Sequence, residues 1–475
     1  MSEIEGPDTI VALATPPGRG ALAVVRVSGS KVREILREVV PEWDERGAER
    51  RPVLASLVDP ESGSLLDRAL VTFFPGPGSY TGEDLAELST HGGSLVPALV
   101  VDAIERAGAR MARPGEFTQR AYLNGKLDLV QAEGVRDLVE ARSEALHRVA
   151  LHQMEGGLSR RLAELREGLI GLEALLAHHL DFPEEDDPPV ALERVVEEGR
   201  TVLGGLEALL ATAPEGELLR EGALAVLAGR PNAGKSSLFN ALLGEERAIV
   251  NERPGTTRDA VEASVSLGGY PFRLVDTAGI RGKAGEVERL GIEVARRYLR
   301  SADVVLLCVS CEWGWGSVEA GFLEELREDA SVLVVRTKAD EGALSGDDGS
   351  AGPGDPDADD RRSASDPRVR GVLTVSALRG EGLEGVGEHL RDLVFGGAVA
   401  GSGAAPVLTR RRQRRGVEIA HGEVTAFVDA LEAEVPAEMA ATHLRPAETA
   451  LEELLGVISP DEVLDRLFSE FCIGK

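Results

Sequence analysis

A glycine-rich loop between an apolar run and a helical pattern is the strongest chemical signal in the sequence. Residues 223–228 predict a buried strand, residues 229–237 read GRPNAGKSS, and a helix is expected to follow. In this arrangement backbone N–H groups face phosphate oxygens, and the helix N-terminus adds a favourable dipole. Lys235 is expected to bridge the β- and γ-phosphates, and Ser236 to bind Mg²⁺. The loop therefore indicates a nucleoside triphosphate site.

Four more motifs follow in the order that a guanine-nucleotide site requires: PGTTRD at 254–259, DTAG at 276–279, TKAD at 337–340 and SAL at 376–378. Thr257 is the candidate second Mg²⁺ ligand, and Asp276 is expected near the metal. Asp340 can accept hydrogen bonds from N1 and N2 of guanine, a donor pair that adenine lacks. Five motifs in register therefore predict GTP rather than ATP.

The predicted GTP-binding residues come from all five motifs and from the loop before PGTTRD. They are Asn232, Ala233, Gly234, Lys235, Ser236, Ser237, Asn251, Glu252, Arg253, Pro254, Gly255, Thr256, Thr257, Asp276, Thr277, Ala278, Gly279, Thr337, Lys338, Asp340, Ser376 and Ala377. Two positions depart from the common pattern. Thr337 stands where asparagine is usual, and Ile280 stands where Ras-like proteins place the glutamine that orients the attacking water.

Changes in hydrophobic periodicity predict a multidomain α/β and α protein. Residues 1–122 mix short β-like runs with turns and predict an α+β domain, whereas 123–220 are helical. Strand and helix patterns then alternate over 221–397, as in a Ras-like domain with a parallel sheet, and 398–475 are helical again. The prediction is a helical domain split by an inserted nucleotide domain, in which the polar segment 341–370 is a disordered insertion.

Composition limits the classes of function. The formal charge of −29 argues against nucleic-acid binding through the average surface. The run TRRRQRRG at 409–416 is the obvious basic patch, either a tRNA contact or a solvated helix face. Three cysteines fit free thiols in a reducing compartment, and no secretory signal or membrane-spanning run is evident, so a cytoplasmic location is expected.

Several long blocks resemble one family closely. DTIVALATPPGRGALAVVRVSG near the N-terminus, ARPGEFTQRAYLNGKLDLVQAEGVRDLVEARSEAL, the motifs PGTTRD and DTAGIR, and the terminal FCIGK are similar to the MnmE (TrmE) family of bacterial tRNA-modification GTPases. The resemblance covers essentially the whole chain except the segment 341–370.

The resemblance implies a homodimer that works with an FAD-dependent MnmG-like partner in a heterotetramer or larger assembly. Together they would add an aminomethyl or carboxymethylaminomethyl group to C5 of the wobble uridine of certain tRNAs. The implied cofactors are GTP, Mg²⁺, K⁺ and 5,10-methylene- or 5-formyl-tetrahydrofolate. The N-terminal domain is implied to bind the folate and to form the dimer.

The family pattern also implies roles for particular residues. The implied folate contacts are Arg26, Glu87, Lys126 and Lys475, and Cys472 is placed near the reaction centre. Glu288 matches the catalytic glutamate, which acts together with Lys235. The implied K⁺ ligands are Asn232, Asn251, Thr256 and the backbone of Arg253.

Two other functions compete with this interpretation. A ribosome-assembly GTPase could share PGTTRD and DTAG, but such proteins often carry a basic RNA-binding domain. A one-carbon-transfer enzyme with a vestigial nucleotide domain is disfavoured by the intact Lys235, Ser236, Thr257 and Asp276.

Overall fold

The computed structural model describes residues 8–44, 49–181, 191–245, 261–277, 286–341, 365–397, 405–458 and 461–475. Within these ranges only the backbone is described at Asp181, Glu245, Val261, 286–292 and 461–463. The chain divides into two units, one formed by Met1–Arg136 with Glu452–Lys475 and the other by Asp137–Leu451.

Twelve strands lie in the described ranges: β1 (Ile10–Leu13), β2 (Leu22–Ser28), β3 (Val53–Val58), β4 (Leu65–Phe74), β5 (Leu85–His91), β6 (Arg110–Met111), β7 (Ala223–Ala228), β8 (Val261–Leu267), β9 (Tyr270–Asp276), β10 (Val304–Ser310), β11 (Ser331–Thr337) and β12 (Val369–Thr374). The α-helices of the same ranges are α1 (Val32–Val39), α2 (Leu95–Arg106), α3 (Glu116–Leu123), α4 (Leu129–Glu140), α5 (Glu144–Met154), α6 (Gly157–Asp181), α7 (Leu192–Leu210), α8 (Ala213–Glu221), α9 (Lys235–Glu245), α10 (Glu286–Ser301), α11 (Ser317–Glu324), α12 (Leu383–Phe395), α13 (Arg411–Glu432), α14 (Ala437–Ala440), α15 (Leu444–Leu455) and α16 (Asp461–Ser469).

Alternating side chains give the sheet of the first unit one buried face. Its strands pair in the order β3-β4-β5-β2-β1-β6, antiparallel except for β1 with β6. On β2, Val25 and Val27 are buried, whereas Arg26 lies on the opposite face. The buried face packs against α1 and α2 through Ile35 and Ile104, which form one core with the valines. Arg26 therefore lies outside this core, where it can meet a ligand or another polar group.

The second unit contains a sheet of mostly parallel strands in the order β12-β11-β10-β7-β9-β8. Only β8 pairs antiparallel among these strands. The central strands β7 and β10 are buried along their whole length, which explains why they read as continuous Ala, Val and Leu runs. Because the carboxyl ends of parallel strands lie at one edge, the loops after β7, β9 and β11 meet there.

Helices complete the second unit. The leucines at spacings of three and four residues in α6 share one buried face: Leu158, Leu162, Leu165, Leu169, Leu172 and Leu176. Helices α7 and α13 approach closely at Gly199, where an added Cβ would lie 2.8 Å from Cγ2 of Val428. In the predicted helical segment 398–475 the first described helix, α13, begins at Arg411, and residues 405–410 are not helical.

The predicted fold class, an α+β domain with a split helical domain and a Ras-like α/β domain, is confirmed. The domain boundaries stay a prediction. The C-terminal side of the expected insertion needs correction, because Arg368 binds Asp366 and the carbonyl of Leu323, and β12 already begins at Val369. Residues 342–364 lie outside the described residues. In the described part of the chain, no helix is both long and apolar enough to cross a membrane.

Candidate functional site

The loop between β7 and α9 has the backbone geometry of a phosphate-binding loop. Gly229 has φ +132°, and an added Cβ would lie 2.4 Å from the carbonyl oxygen of Cys308. Gly234 has φ +82°, and Asn232 lies in the left-handed region with φ 63°. Glycine and asparagine adopt positive φ more readily than most other residue types. The backbone of the turn therefore favours the two glycines and the asparagine of GRPNAGK at these positions.

Lys235 begins α9 and folds its side chain back over this loop. Its Nζ donates to the carbonyl oxygens of Gly229 at 3.0 Å and Arg230 at 2.6 Å, and the residue is 5% exposed. These bonds hold the ammonium over the loop rather than in solvent. A phosphate placed at the N-terminus of α9 would meet a fixed positive charge together with backbone N–H groups.

Ser236 and Asp276 meet beside this loop. Oγ of Ser236 donates to Oδ2 of Asp276 at 2.6 Å, and Asp276 is 3% exposed at the end of β9. A hydroxyl and a carboxylate are the hard oxygen ligands that Mg²⁺ prefers, so this pair fits the predicted metal. The neighbouring Thr277 donates to the carbonyl of Leu227 at 2.7 Å and so fixes the start of the DTAG loop to β7.

The predicted base-recognition residues meet at the ends of β11 and β12. Oγ of Ser376 donates to Oδ1 of Asp340 at 2.6 Å. This bond lowers the pKa of Asp340 and keeps its carboxylate ionised. Lys338 has φ 62°, and its Nζ lies 3.2 Å from Glu341. Ala377 follows Ser376 in the same loop, so an acceptor carboxylate, a long aliphatic stem and a backbone turn lie together as guanine recognition requires.

Thr337 links the base-recognition loop directly to the phosphate loop. Its Oγ1 donates to the carbonyl of Ala233 at 2.6 Å, and the residue is 1% exposed. Thr337, which replaces the usual asparagine, therefore still joins the two loops through a hydrogen bond.

Several predicted site residues lie outside the described residues, so their roles stay predictions. They are Asn251, Glu252, Arg253, Pro254, Gly255, Thr256, Thr257, Ala278 and Gly279. Glu288 lies in α10, of which the structure describes only the backbone at that position. Asn232, Ser236 and Ser237 are exposed at the loop and at the start of α9.

Three of the four implied folate contacts lie near one another in the first unit. Arg26 on β2 donates through Nε and Nη2 to Oε1 of Glu87, its cross-strand partner on β5, at 3.0 and 2.8 Å. Its Nη1 donates to the carbonyl of Gly474 at 3.3 Å. Burial and the charge of Arg26 lower the pKa of Lys475. A carboxylate and two cations therefore lie close together in this part of the first unit.

Rings and main-chain bonds support this group. The guanidinium of Arg26 lies 5.6 Å from the ring centroid of Tyr80 and 5.7 Å from that of Phe117. The carbonyl of Cys472 accepts from the N–H of Gly115 at 3.3 Å, and its thiol-bearing side chain is exposed. Lys126 is exposed and donates to the carbonyl of Pro77 at 3.0 Å. No described contact joins Lys126 to Arg26 or Glu87.

A buried charge network on α3 was not predicted from the sequence. Glu116, 3% exposed, accepts hydrogen bonds from Arg110, from the backbone N–H of Arg113 and from Arg120. Burial opposes the charged carboxylate, but these donors outweigh it and lower the pKa of Glu116 to about 2. The signal in the sequence was the close spacing of these charges in RMARPGEFTQR at 110–120, a pattern that also occurs on solvated helices.

The basic run 409–416 contributes much of its charge to internal ion pairs. Arg410 is 8% exposed and donates to Asp137 at 2.5 Å. Arg414 lies 3.3 Å from Glu217, whereas Arg411 and Arg415 are exposed. A tRNA contact through this run stays a prediction, and the exposed Arg411 and Arg415 are the residues that could make it.

Comparisons with known proteins cover nearly the whole chain. A family model described as the MnmE helical domain matches residues 129–472, and one described as the GTP-binding protein TrmE N-terminus matches residues 9–126. The tRNA modification GTPase MnmE of Moorella thermoacetica is 40% identical over 98% of this chain and 99% of its own length. The protein of the same name from Heliobacterium modesticaldum is 38% identical over the same shares.

A solved structure matches about a third of this chain. The G domain of the T. maritima FeoB iron transporter is 28% identical and covers 36% of this chain and 98% of its own, with a TM-score of 0.26. A TM-score this low carries no structural argument.

Proposed function

Because the chain belongs to the MnmE (TrmE) family of tRNA modification GTPases, we propose that it hydrolyses GTP within a complex that modifies tRNA. The observation that carries the GTP part is the meeting of three loops at one sheet edge. Lys235 covers the phosphate loop, Ser236 pairs with Asp276, and Ser376 pairs with Asp340. Phosphate, metal and base would each meet matching groups there.

The described residues of this site mainly position the nucleotide and the loops that bind it. Lys235 holds a positive charge over the loop, and Thr337 fixes the base-recognition loop to the phosphate loop. Asp340 accepts from the guanine edge while Lys338 packs along the base. When bound between Ser236 and Asp276, Mg²⁺ would neutralise charge on the β- and γ-phosphates. Thr257 is the proposed second protein ligand.

Hydrolysis is proposed to depend on K⁺ and on Glu288. Ile280 stands where Ras-like proteins carry the water-orienting glutamine, so another group must orient the water. Glu288 is the proposed replacement. Asn232, in the left-handed loop conformation, is the proposed K⁺ ligand from the phosphate loop, and Asn251, Thr256 and the backbone of Arg253 complete the proposed shell. Positive charge there would stabilise the charge that develops between the phosphates.

The first unit is proposed to bind the tetrahydrofolate that supplies the one-carbon unit, as a 5,10-methylene or 5-formyl form. Glu87 would accept paired N–H bonds from the pterin ring. Arg26, which holds Glu87 through two hydrogen bonds, would contact the folate beside it, and Lys126 and Lys475 would hold the anionic tail. Cys472 lies in the same C-terminal segment and is proposed to face the reaction centre. Its exposed side chain fits that position.

A homodimer through the first unit is also proposed. Leu54 and Leu70 are cross-strand partners, 65% and 44% exposed, on the face of the sheet opposite the core. Leu22, at 67% exposure, adds to this apolar face from β2. An apolar sheet face of this kind is typical of a protein interface. The FAD-dependent MnmG-like protein would then join in a heterotetramer or larger assembly, in the cytoplasm where tRNA is available.

Reconstitution tests this proposal. The purified chain, an MnmG-like FAD protein, a tetrahydrofolate donor, GTP, unmodified tRNA and an amine donor, tested as ammonium or glycine, should yield a C5-modified wobble uridine, detected by nucleoside mass spectrometry. Glu87→Ala should abolish the product while GTP turnover continues, because the two sites use different residues. Full modification without GTP, or with Glu87→Ala at the wild-type rate, would overturn the assignment.

A further inference from the structure

Arg230, the second residue of the phosphate loop, is tied to a helix that carries no nucleotide motif. Its Nε and Nη2 donate to Oε1 and Oε2 of Glu319, both at 2.5 Å. Glu319 lies in α11 and is 2% exposed, whereas the side chain of Arg230 is 29% exposed. Parallel bonds between a guanidinium and a carboxylate fix direction as well as distance. This pair therefore holds the side chain of Arg230 in one orientation.

The carboxylate of Glu319 is itself fixed from the other side. Its Oε2 accepts from the backbone N–H of Gly316 at 3.0 Å, which caps the first turn of α11. An added Cβ at Gly316 would lie 3.0 Å from Nη2 of Arg230. The glycine thus leaves room for the guanidinium. The loop before α11, the helix and the arginine form one connected unit.

The same arginine shapes the phosphate loop through its main chain. The carbonyl of Arg230 accepts from Nζ of Lys235 at 2.6 Å and from the N–H of Ala233 at 3.2 Å. The bond from Lys235 fixes the position of the ammonium group. The bond from Ala233 closes the turn that orients the N–H groups after it. A movement of Arg230 would therefore displace both the charge and the amides that meet phosphate.

We propose that Glu319 is a positioning residue for nucleotide binding: through Arg230 it holds the phosphate loop in the conformation that accepts phosphate. A loop that is already ordered loses less conformational freedom when the nucleotide binds. The β-phosphate is common to GDP and GTP, so the clamp raises the affinity for both. Its loss should speed nucleotide release more than it slows the chemical step.

A second ion pair, which contacts the same helix from outside it, provides a matched control. Nε and Nη2 of Arg368 donate to Oδ1 and Oδ2 of Asp366 at 2.9 and 2.7 Å. Nη1 of Arg368 donates to the carbonyl of Leu323, near the C-terminal end of α11. Both pairs are bidentate and both hold α11. Only the Arg230 pair touches the phosphate loop.

The test compares Glu319→Gln, Arg230→Lys and Asp366→Asn in the full-length protein. Affinity and release of a fluorescent GDP analogue, GTP turnover at saturation and thermal unfolding are measured for each. Glu319→Gln keeps the shape of the side chain but removes its negative charge. Because the charge-assisted pair with Arg230 is lost, GDP and GTP affinity should fall about three- to tenfold. The loss should appear mainly as faster release, with a smaller change in kcat.

Arg230→Lys keeps the positive charge but not the planar fork, so its affinity should lie between those of wild type and Glu319→Gln. Asp366→Asn should keep wild-type affinity and turnover even where its unfolding temperature falls as far as that of Glu319→Gln. The proposal is wrong if Glu319→Gln and Arg230→Lys both bind GDP as wild type does. It is equally wrong if Asp366→Asn weakens GDP binding as much as they do.

Discussion

At Thr337 the chain carries a hydroxyl where nucleotide-binding motifs of this type usually carry an amide. The hydroxyl bonds the carbonyl of Ala233, and an added Cβ on Gly234 would lie 3.1 Å from the Thr337 side chain. The two loops are therefore packed directly against each other, so the short side chain of Thr337 is long enough to bond the phosphate loop. We therefore expect guanine recognition to depend mainly on Asp340, which Ser376 holds in place.

The first prediction concerns Asp340. Its hydrogen bond from Ser376 lowers its pKa, so the carboxylate is an acceptor at neutral pH. In Asp340→Asn an amide donor replaces one acceptor oxygen, which fits the C2 oxygen of xanthine better than the amino group of guanine. GTP affinity should fall by about tenfold or more and that for xanthosine triphosphate should rise. Competition binding measures both, and unchanged GTP affinity would show that TKAD does not read the base.

At the scale of elements, periodicity predicted the parts that depend on burial alone. Continuous apolar runs predict strands that are buried on both faces, and β7 and β10 are buried along their whole length. Leucines at spacings of three and four residues predict a helix with one buried face, as in α6. The edge strand β8 was not predicted, although VEASVSL alternates apolar and polar residues as a half-buried strand does. Pairs such as Arg230 with Glu319 could not be predicted, because no local pattern links residues that are 89 positions apart.

The charged network on α3 shows the same limit and gives the second prediction. The pKa of Glu116 falls to about 2 in the folded protein from a usual value of 4.5. A carboxyl with a lowered pKa stabilises the fold above its unfolded pKa and loses this contribution as pH falls through the folded value. The shift corresponds to about 3 kcal/mol of unfolding free energy, present at neutral pH and lost between roughly pH 4.5 and 2.

Glu116→Gln should therefore destabilise the protein by about 2–3 kcal/mol at pH 7, with the difference from wild type narrowing as pH approaches 3. Denaturant unfolding at several pH values, followed by a signal from the first unit, measures this. Glu61→Gln is a suitable control, because Glu61 is exposed. A difference that is constant over the whole pH range would show that the effect of Glu116 is packing rather than charge.

At the scale of the whole molecule, the chain joins a nucleotide site and a proposed anion site that lie in different units. Its net charge is −29, and the internal pairing of Arg410 and Arg414 leaves Arg411 and Arg415 as the exposed arginines of the run 409–416. Much of the tRNA affinity is therefore expected to come from the partner. The family relationship spans 98% of the chain and so includes both units.

The third prediction concerns the cation that hydrolysis needs. GTP turnover should be about tenfold or more faster in K⁺ than in Na⁺ at equal ionic strength, which is below the roughly 10³–10⁵ that an arginine finger supplies. Glu288→Ala should remove most of the turnover in K⁺ while GTP binding persists. Equal rates in the two salts, together with full activity of Glu288→Ala, would mean that Arg253, Arg258 or a partner supplies the catalytic group.

The central claim is that this GTPase modifies the wobble uridine of tRNA, and nucleoside mass spectrometry on a strain that lacks the protein tests it most directly. We expect the C5-aminomethyl and carboxymethylaminomethyl uridines to disappear and to return when the wild-type gene is restored. Restoration with Asp340→Asn should fail in a cell that supplies GTP but not xanthosine triphosphate. Unchanged wobble uridines in the deletion strain would contradict the account.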